Sequence, residues 1–134
     1  MAFGVFDHFH KGHEYFLSEA KSRCDELVVV VTVPGIVELL KKRQPDHSLE
    51  ERKAHIATFD ASLSIVSGDE ALGSWQVLRM HEPDIVFLGY DQQGIARELD
   101  KLGQAYALIG PHHPERYKSS IVGKQARLDD LPKA

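Results

Sequence analysis

The sequence predicts a three-layer α/β domain built on a mostly parallel, five-stranded sheet. Strand-length apolar runs alternate with segments of helical periodicity along the whole chain. Two of those runs, Leu27-Val28-Val29-Val30-Val31-Thr32 and Ile85-Val86-Phe87-Leu88, lack in–out alternation, the mark of strands covered on both faces. The unusual residues cluster in the segments that follow strands, where open α/β sheets place their ligands.

Ala2 to Phe6 reads as the first strand; it begins where a strand is normally under way, so a few residues are expected to precede it. The first helix is expected from Gly12 to Arg23, with Tyr15, Phe16, Ala20 and Cys24 near one face. Leu27–Thr32 is the second strand, broken by Pro34-Gly35, and Ile36–Lys42 is a short helix ending in Lys41-Lys42-Arg43. Ser48 and Glu51 form a capping box that opens a helix through Arg52, Ile56 and Phe59. Leu63–Val66 is a weaker strand, and Ser74–His81 is helical with Trp75 as a packing residue. Ile85–Leu88 is followed by the loop Gly89–Gly94, a helix Ile95–Leu102 stopped by Gly103, and a last strand Tyr106–Ile109. A final helix is expected to start near Ser119, with a frayed tail over about 129–134. The alternation is Rossmann-like, and 134 residues make one domain, 1–134.

Composition narrows the partners. A net charge of -4 argues against broad phosphate neutralisation on nucleic acid, while leaving room for a small basic pocket. The longest apolar run is strand-sized, so no membrane span is expected, and the single cysteine, Cys24, fits a reducing, cytoplasmic compartment.

The most informative stretch is His10-Lys11-Gly12-His13, between the first strand and the first helix. A helix start carries free N–H groups and partial positive charge, so it attracts phosphate, and two imidazoles there add donors. His10 and His13 are the candidate catalytic pair, and Gly12 lets backbone approach a phosphate. Lys41 is a third candidate, as mobile positive charge; Lys42, Arg52, His113 and Arg116 are candidates for binding an acceptor if, as the resemblance described next implies, a group is transferred from the phosphates. His8, His10 and His13 lack the cysteines and spaced acidic partners of a zinc site, so no side-chain metal centre is expected.

Gly4-Val5-Phe6-Asp7-His8-Phe9-His10-Lys11-Gly12-His13 resembles the G-T-F-D-x-x-H-x-G-H motif of the cytidylyltransferase-like nucleotidyltransferases. That family transfers a nucleotidyl group from an NTP to a small phosphorylated acceptor and releases pyrophosphate. Lys118-Ser119-Ser120-Ile121 resembles its Ser/Thr-rich helix start. The resemblance implies that Gly4, Val5, Phe6, Asp7, Gly12, Gly89, Tyr90, Asp91, Ser119 and Ser120 contact the nucleotide. It also implies Mg²⁺ bound with the NTP, Asp7 being a partner for it, and a homodimer.

Pro83-Asp84-Ile85-Val86-Phe87-Leu88-Gly89-Tyr90-Asp91-Gln92 and His113–Ser120 are similar to archaeal-type FAD synthases and their bacterial relatives. This implies adenylyl transfer from ATP to FMN. Glycerol-3-phosphate cytidylyltransferases, which use CTP, share the first motif but carry a Gly-Ile-Ser-Thr-Thr core near the end that this chain lacks. A non-catalytic nucleotide-binding domain is the third reading. One departure stands out: relatives carry an acidic residue after the second strand, where this chain has Thr32-Val33-Pro34-Gly35.

Overall fold

The computed structural model describes residues 1–110. The elements are β1 (Ala2–Gly4), α1 (Lys11–Ser22), β2 (Val28–Val31), α2 (Pro34–Lys41), α3 (Leu49–Phe59), β3 (Ser64–Ser67), α4 (Gln76–His81), β4 (Val86–Gly89), α5 (Gln93–Leu102) and β5 (Tyr106–Ile109). All five strands are parallel, in the order β3-β2-β1-β4-β5. The expected α/β architecture is therefore present, and the sheet is wholly rather than mostly parallel.

Strand residues alternate between two cores. Val29, Val31, Phe87 and Ala107 meet Leu17 and Ala20 of α1 and Ile56 of α3 on one face. Val30, Val86, Leu88 and Leu108 meet Val77 and Leu78 of α4 and Ala96 and Leu99 of α5 on the other. Burying each such aliphatic chain stabilises by roughly 1.5–3 kcal/mol. The two apolar faces explain the unbroken runs of β2 and β4, which are covered on both sides, while the edge strand β3 stays partly exposed.

The chain starts in the centre of the sheet. It winds outward through β2 and β3, then returns to β4 on the other side of β1. The direction of winding reverses between β1 and β4. The crevice beyond their carboxyl ends is the place where such sheets bind ligands.

Several boundaries differ from the sequence reading for local reasons. The first strand stops at Gly4 instead of Phe6, because Phe6 turns into the left-handed region with φ 56°. Pro34 does not simply break the chain: it occupies the first turn of α2, where its missing N–H costs nothing. The fourth helix starts two residues late, because Trp75 has φ 53°. The Asp69 carboxylate caps that helix, accepting from the N–H groups of Gln76 (2.6 Å) and Val77 (3.1 Å). Trp75 packs against Phe3, with ring centroids 5.9 Å apart. The expected final helix and tail lie outside the described residues.

Candidate functional site

The site is built where β1 ends. His10 is the N-cap of α1, with its Nδ1 accepting from the Gly12 N–H at 2.9 Å. His13 reaches back, and its Nδ1 accepts from the His10 N–H at 3.2 Å. The motif is thus a capping box made by two histidines instead of the usual Ser and Glu. This fixes the ring chemistry. Each Nδ1 faces a backbone donor, so each neutral ring carries its proton on Nε2, away from the helix. The rings stack 4.0 Å apart at 27°, giving two adjacent N–H donors over the positive end of a helix dipole.

Gly12 is required by this stack. A Cβ there would stand 2.7 Å from His10 Cε1 and 3.0 Å from Nδ1. Gly4 is required one layer below, since its Cβ would stand 2.7 Å from the Phe6 ring, which folds back over β1. Phe6 meets His13 edge-on at 5.5 Å, and Phe9 stacks on its other side at 5.5 Å. Enclosed this way, His13 has its pKa pushed down to about 4, by burial first and by His10 second, against the pull of Asp7 and Asp91. His13 is a neutral donor at physiological pH.

The neighbouring loops are tied in by one buried cation. Arg52 of α3 is fully buried. Its Nη1 donates to the carbonyls of Val5 (2.9 Å) and Thr32 (2.8 Å), and its Nε donates to His47 (3.1 Å). The guanidinium therefore joins the ends of β1 and β2 to the entry of α3. The sequence reading made Arg52 a candidate for the acceptor; here its bonded donors serve backbone carbonyls, so it positions the site. Asp7 is nearly covered, and both its oxygens accept backbone N–H groups, Oδ2 from Asp46 at 2.8 Å and Oδ1 from His47 at 3.0 Å. Burial would raise the Asp7 pKa, but these two bonds and the nearby histidines hold it below the usual carboxylate range.

Across the crevice, β4 ends at Gly89, and Asp91 acts electrostatically on His13. Gln92, a residue that sequence reasoning quoted but gave no role, locks this loop. Its Oε1 accepts from the Gly89 N–H at 2.7 Å, and its Nε2 donates to the Phe3 carbonyl of β1 at 3.2 Å. Tyr90 and Asp91 are exposed. A Cβ on Gly89 would stand 3.0 Å from Asp91 Oδ1, so glycine lets that carboxylate fold back.

Lys41 and Lys42 close α2, both exposed, and no hydrogen bond or ion pair among the described residues joins them to the histidines. The structure brings His10, Gly12, His13, Asp7 and the Gly89–Asp91 loop together. Ser119, Ser120, His113 and Arg116 lie outside the described residues. The departure after β2, Thr32-Val33-Pro34-Gly35, leads into α2: Val33 is its N-cap without any side-chain bond, and Pro34 is its first residue.

A family model described as Cytidylyltransferase-like matches residues 1–126. The chain belongs to the cytidylyltransferase-like family. Membership makes it a nucleotidyltransferase, in agreement with the motif reading. Among curated relatives, a FAD synthase of Thermococcus sibiricus is 35% identical over 123 residues, covering 89% of this chain and 82% of that protein. A FAD synthase of Methanococcoides burtonii is 35% identical over 134 residues, covering 99% and 82%. Among solved structures, the lipopolysaccharide core biosynthesis protein from Thermoplasma volcanium superposes with a TM-score of 0.66 at 30% identity, covering 83% of this chain and 93% of that one. No described helix of this cytidylyltransferase-like chain is long and apolar enough to cross a membrane.

Proposed function

We propose that this nucleotidyltransferase is an FMN adenylyltransferase, making FAD and pyrophosphate from ATP and FMN. The observation that carries the reading is the tautomer-locked histidine pair at the start of α1, beside the β1–β4 crevice. The curated FAD synthases that match most of the chain supply the acceptor.

A phosphate oxygen of FMN attacks the α-phosphorus of ATP. The bond from that phosphorus to the bridging oxygen breaks, and pyrophosphate leaves. The nucleophile is already an anion, so no side-chain base is needed. Catalysis rests on alignment and on neutralising charge that grows on the transferred phosphate. The Nε2–H groups of His10 and His13 donate to that phosphate, and Gly12 permits its close approach. Because His13 stays neutral down to about pH 4, its donor role holds throughout the physiological range. Gly89, Tyr90 and Asp91 line the far side of the crevice for the nucleotide.

Bound with the triphosphate, Mg²⁺ would supply charge neutralisation. Of the two carboxylates that act on His13, Asp7 is nearly covered, while Asp91 is exposed. Asp91 therefore offers the hard oxygen ligand that Mg²⁺ prefers. Ser119, Ser120 and Arg116 would take the β- and γ-phosphates, His113, Arg116 and Lys42 the acceptor, and Lys41 adds mobile charge. A homodimer in the cytoplasm is part of the same proposal.

The test is pyrophosphate release with ATP or CTP crossed against FMN and glycerol 3-phosphate, with flavin products separated by chromatography. The expected result is release with ATP and FMN only, with FAD formed in equal amount and a large loss in His10→Ala and His13→Ala. Release with CTP and glycerol 3-phosphate, or nucleotide binding with no release from any pair, overturns it.

A further inference from the structure

Transfer chemistry leaves two histidines at the same end of the sheet unused. One ring nitrogen each from His8 and His47 and one carboxylate oxygen of Asp7 lie within 4.8 Å of one another. We propose that Asp7, His8 and His47 bind a borderline first-row divalent cation of the Zn²⁺ or Co²⁺ class.

Four observations support this site. First, the donors suit such an ion: imidazole nitrogen and carboxylate oxygen are its usual ligands, whereas Mg²⁺ and Ca²⁺ favour oxygen alone. Ligands at about 2.0–2.2 Å from a tetrahedral ion sit roughly 3.3–3.6 Å from each other, so the cluster needs only a modest contraction. Second, His47 Nδ1 is buried and makes no hydrogen bond, although Asp7 Oδ1 lies 3.3 Å away. A buried ring nitrogen beside a carboxylate, with no hydrogen bond between the two, presents two lone pairs that one ion could bridge. Third, the supporting contacts of a metal site are in place. The backbone N–H groups of Asp46 and His47 aim the Asp7 carboxylate, and the Asp46 carboxylate accepts from His8 Nε2 at 2.6 Å. A carboxylate behind a histidine is the pairing that orients metal-bound imidazoles. Fourth, the cluster reaches solvent through His8. The His8 side chain is 60% exposed and that of Asp7 10%, so an ion can enter and still leave a position for water.

The ligands come from the β1–α1 loop and from the α2–α3 connection, so the bound ion would cross-link two of the loops that shape the crevice. The site does not rest on the assignment of FMN or ATP, because binding is read without either.

The experiment uses the full chain, free of any histidine tag and stripped with chelator. Co²⁺ is titrated by its visible absorption and Zn²⁺ by calorimetry. The expected result is one equivalent per chain, bound well above Mg²⁺ in affinity. His8→Ala and His47→Ala should each weaken it by about 100-fold, in line with the sensitivity of metal sites to their immediate surroundings. His81→Ala, at the end of α4, should leave it unchanged. His8 is exposed, so its variant keeps the fold and decides the matter even if His47→Ala does not. Absence of saturable binding, or one equivalent bound equally by the wild type and His8→Ala, overturns the proposal.

Discussion

Gly12→Ala separates what glycine does for the helix from what it does for the histidine pair. Gly12 is the second residue of α1, and Gly94 is the second residue of α5. Alanine is favoured over glycine in a helix by roughly 0.5–1 kcal/mol, so on propensity alone both replacements stabilise. Their surroundings differ. A Cβ at Gly94 would meet only Arg97 Nη2, at 4.0 Å, whereas one at Gly12 would stand 2.7 Å from His10 Cε1. The His10 ring must move, and its 2.9 Å bond to the Gly12 N–H goes with it. Loss of an N-cap costs about 1 kcal/mol, which offsets the propensity gain. Gly94→Ala should therefore raise stability by about 0.5–1 kcal/mol, and Gly12→Ala should leave it near the wild-type value. Displacing a phosphate donor by about 1 Å is worth about 100-fold in rate, so Gly12→Ala should lose about that much activity while Gly94→Ala keeps it. Urea unfolding and initial rates of pyrophosphate release measure the two halves. If both variants gain stability equally and Gly12→Ala keeps full activity, the histidine capping box does not govern the chemistry.

Two further predictions follow from the same geometry. His13 has a folded-state pKa of about 4 against an ordinary value of 6.5, so the unfolded chain binds more protons between these pH values. Its contribution is complete above pH 6.5 and is lost as pH falls toward 4; urea unfolding against pH should show a shallower acid loss in His13→Asn. Arg52→Lys keeps the charge but cannot span three carbonyls, so two buried acceptors lose their donor; the expected cost is ~3 kcal/mol by urea unfolding, with activity lost at temperatures where the variant remains folded.

Much of this was legible in the chain, and the limits have physical causes. The unbroken valine run and Ile85–Leu88 reveal strands covered on both faces, and Tyr106–Ile109 matches β5 residue for residue. Ser48 and Glu51 cap α3 as read, because that motif acts within four residues. His10, Gly12 and His13 meet as expected for the same reason. The anchoring of Arg52 was not legible because its partners, Val5 and Thr32, are 47 and 20 residues away. Nothing local tells an arginine that binds carbonyls from one that binds phosphate. The gathering of Asp7, His8 and His47 was equally hidden: no spacing rule connects residue 8 to residue 47, and Cys/His motif reading looks only along the chain. Phe6 was drawn into the strand because its side chain suits one, while the positive φ that ends β1 is set by packing over Gly4.

The guanidinium of Arg52 has a mechanical consequence. Val5, Thr32 and His47 are fastened to the same rigid group, so the three connections they belong to must travel as one piece or not at all. Across the crevice, the Gly89–Asp91 rim is fastened separately, through Gln92 to β1. If Gly89, Tyr90 and Asp91 hold the nucleotide as proposed, that rim, rather than the ground beneath the histidines, is where a change of base preference would be sought.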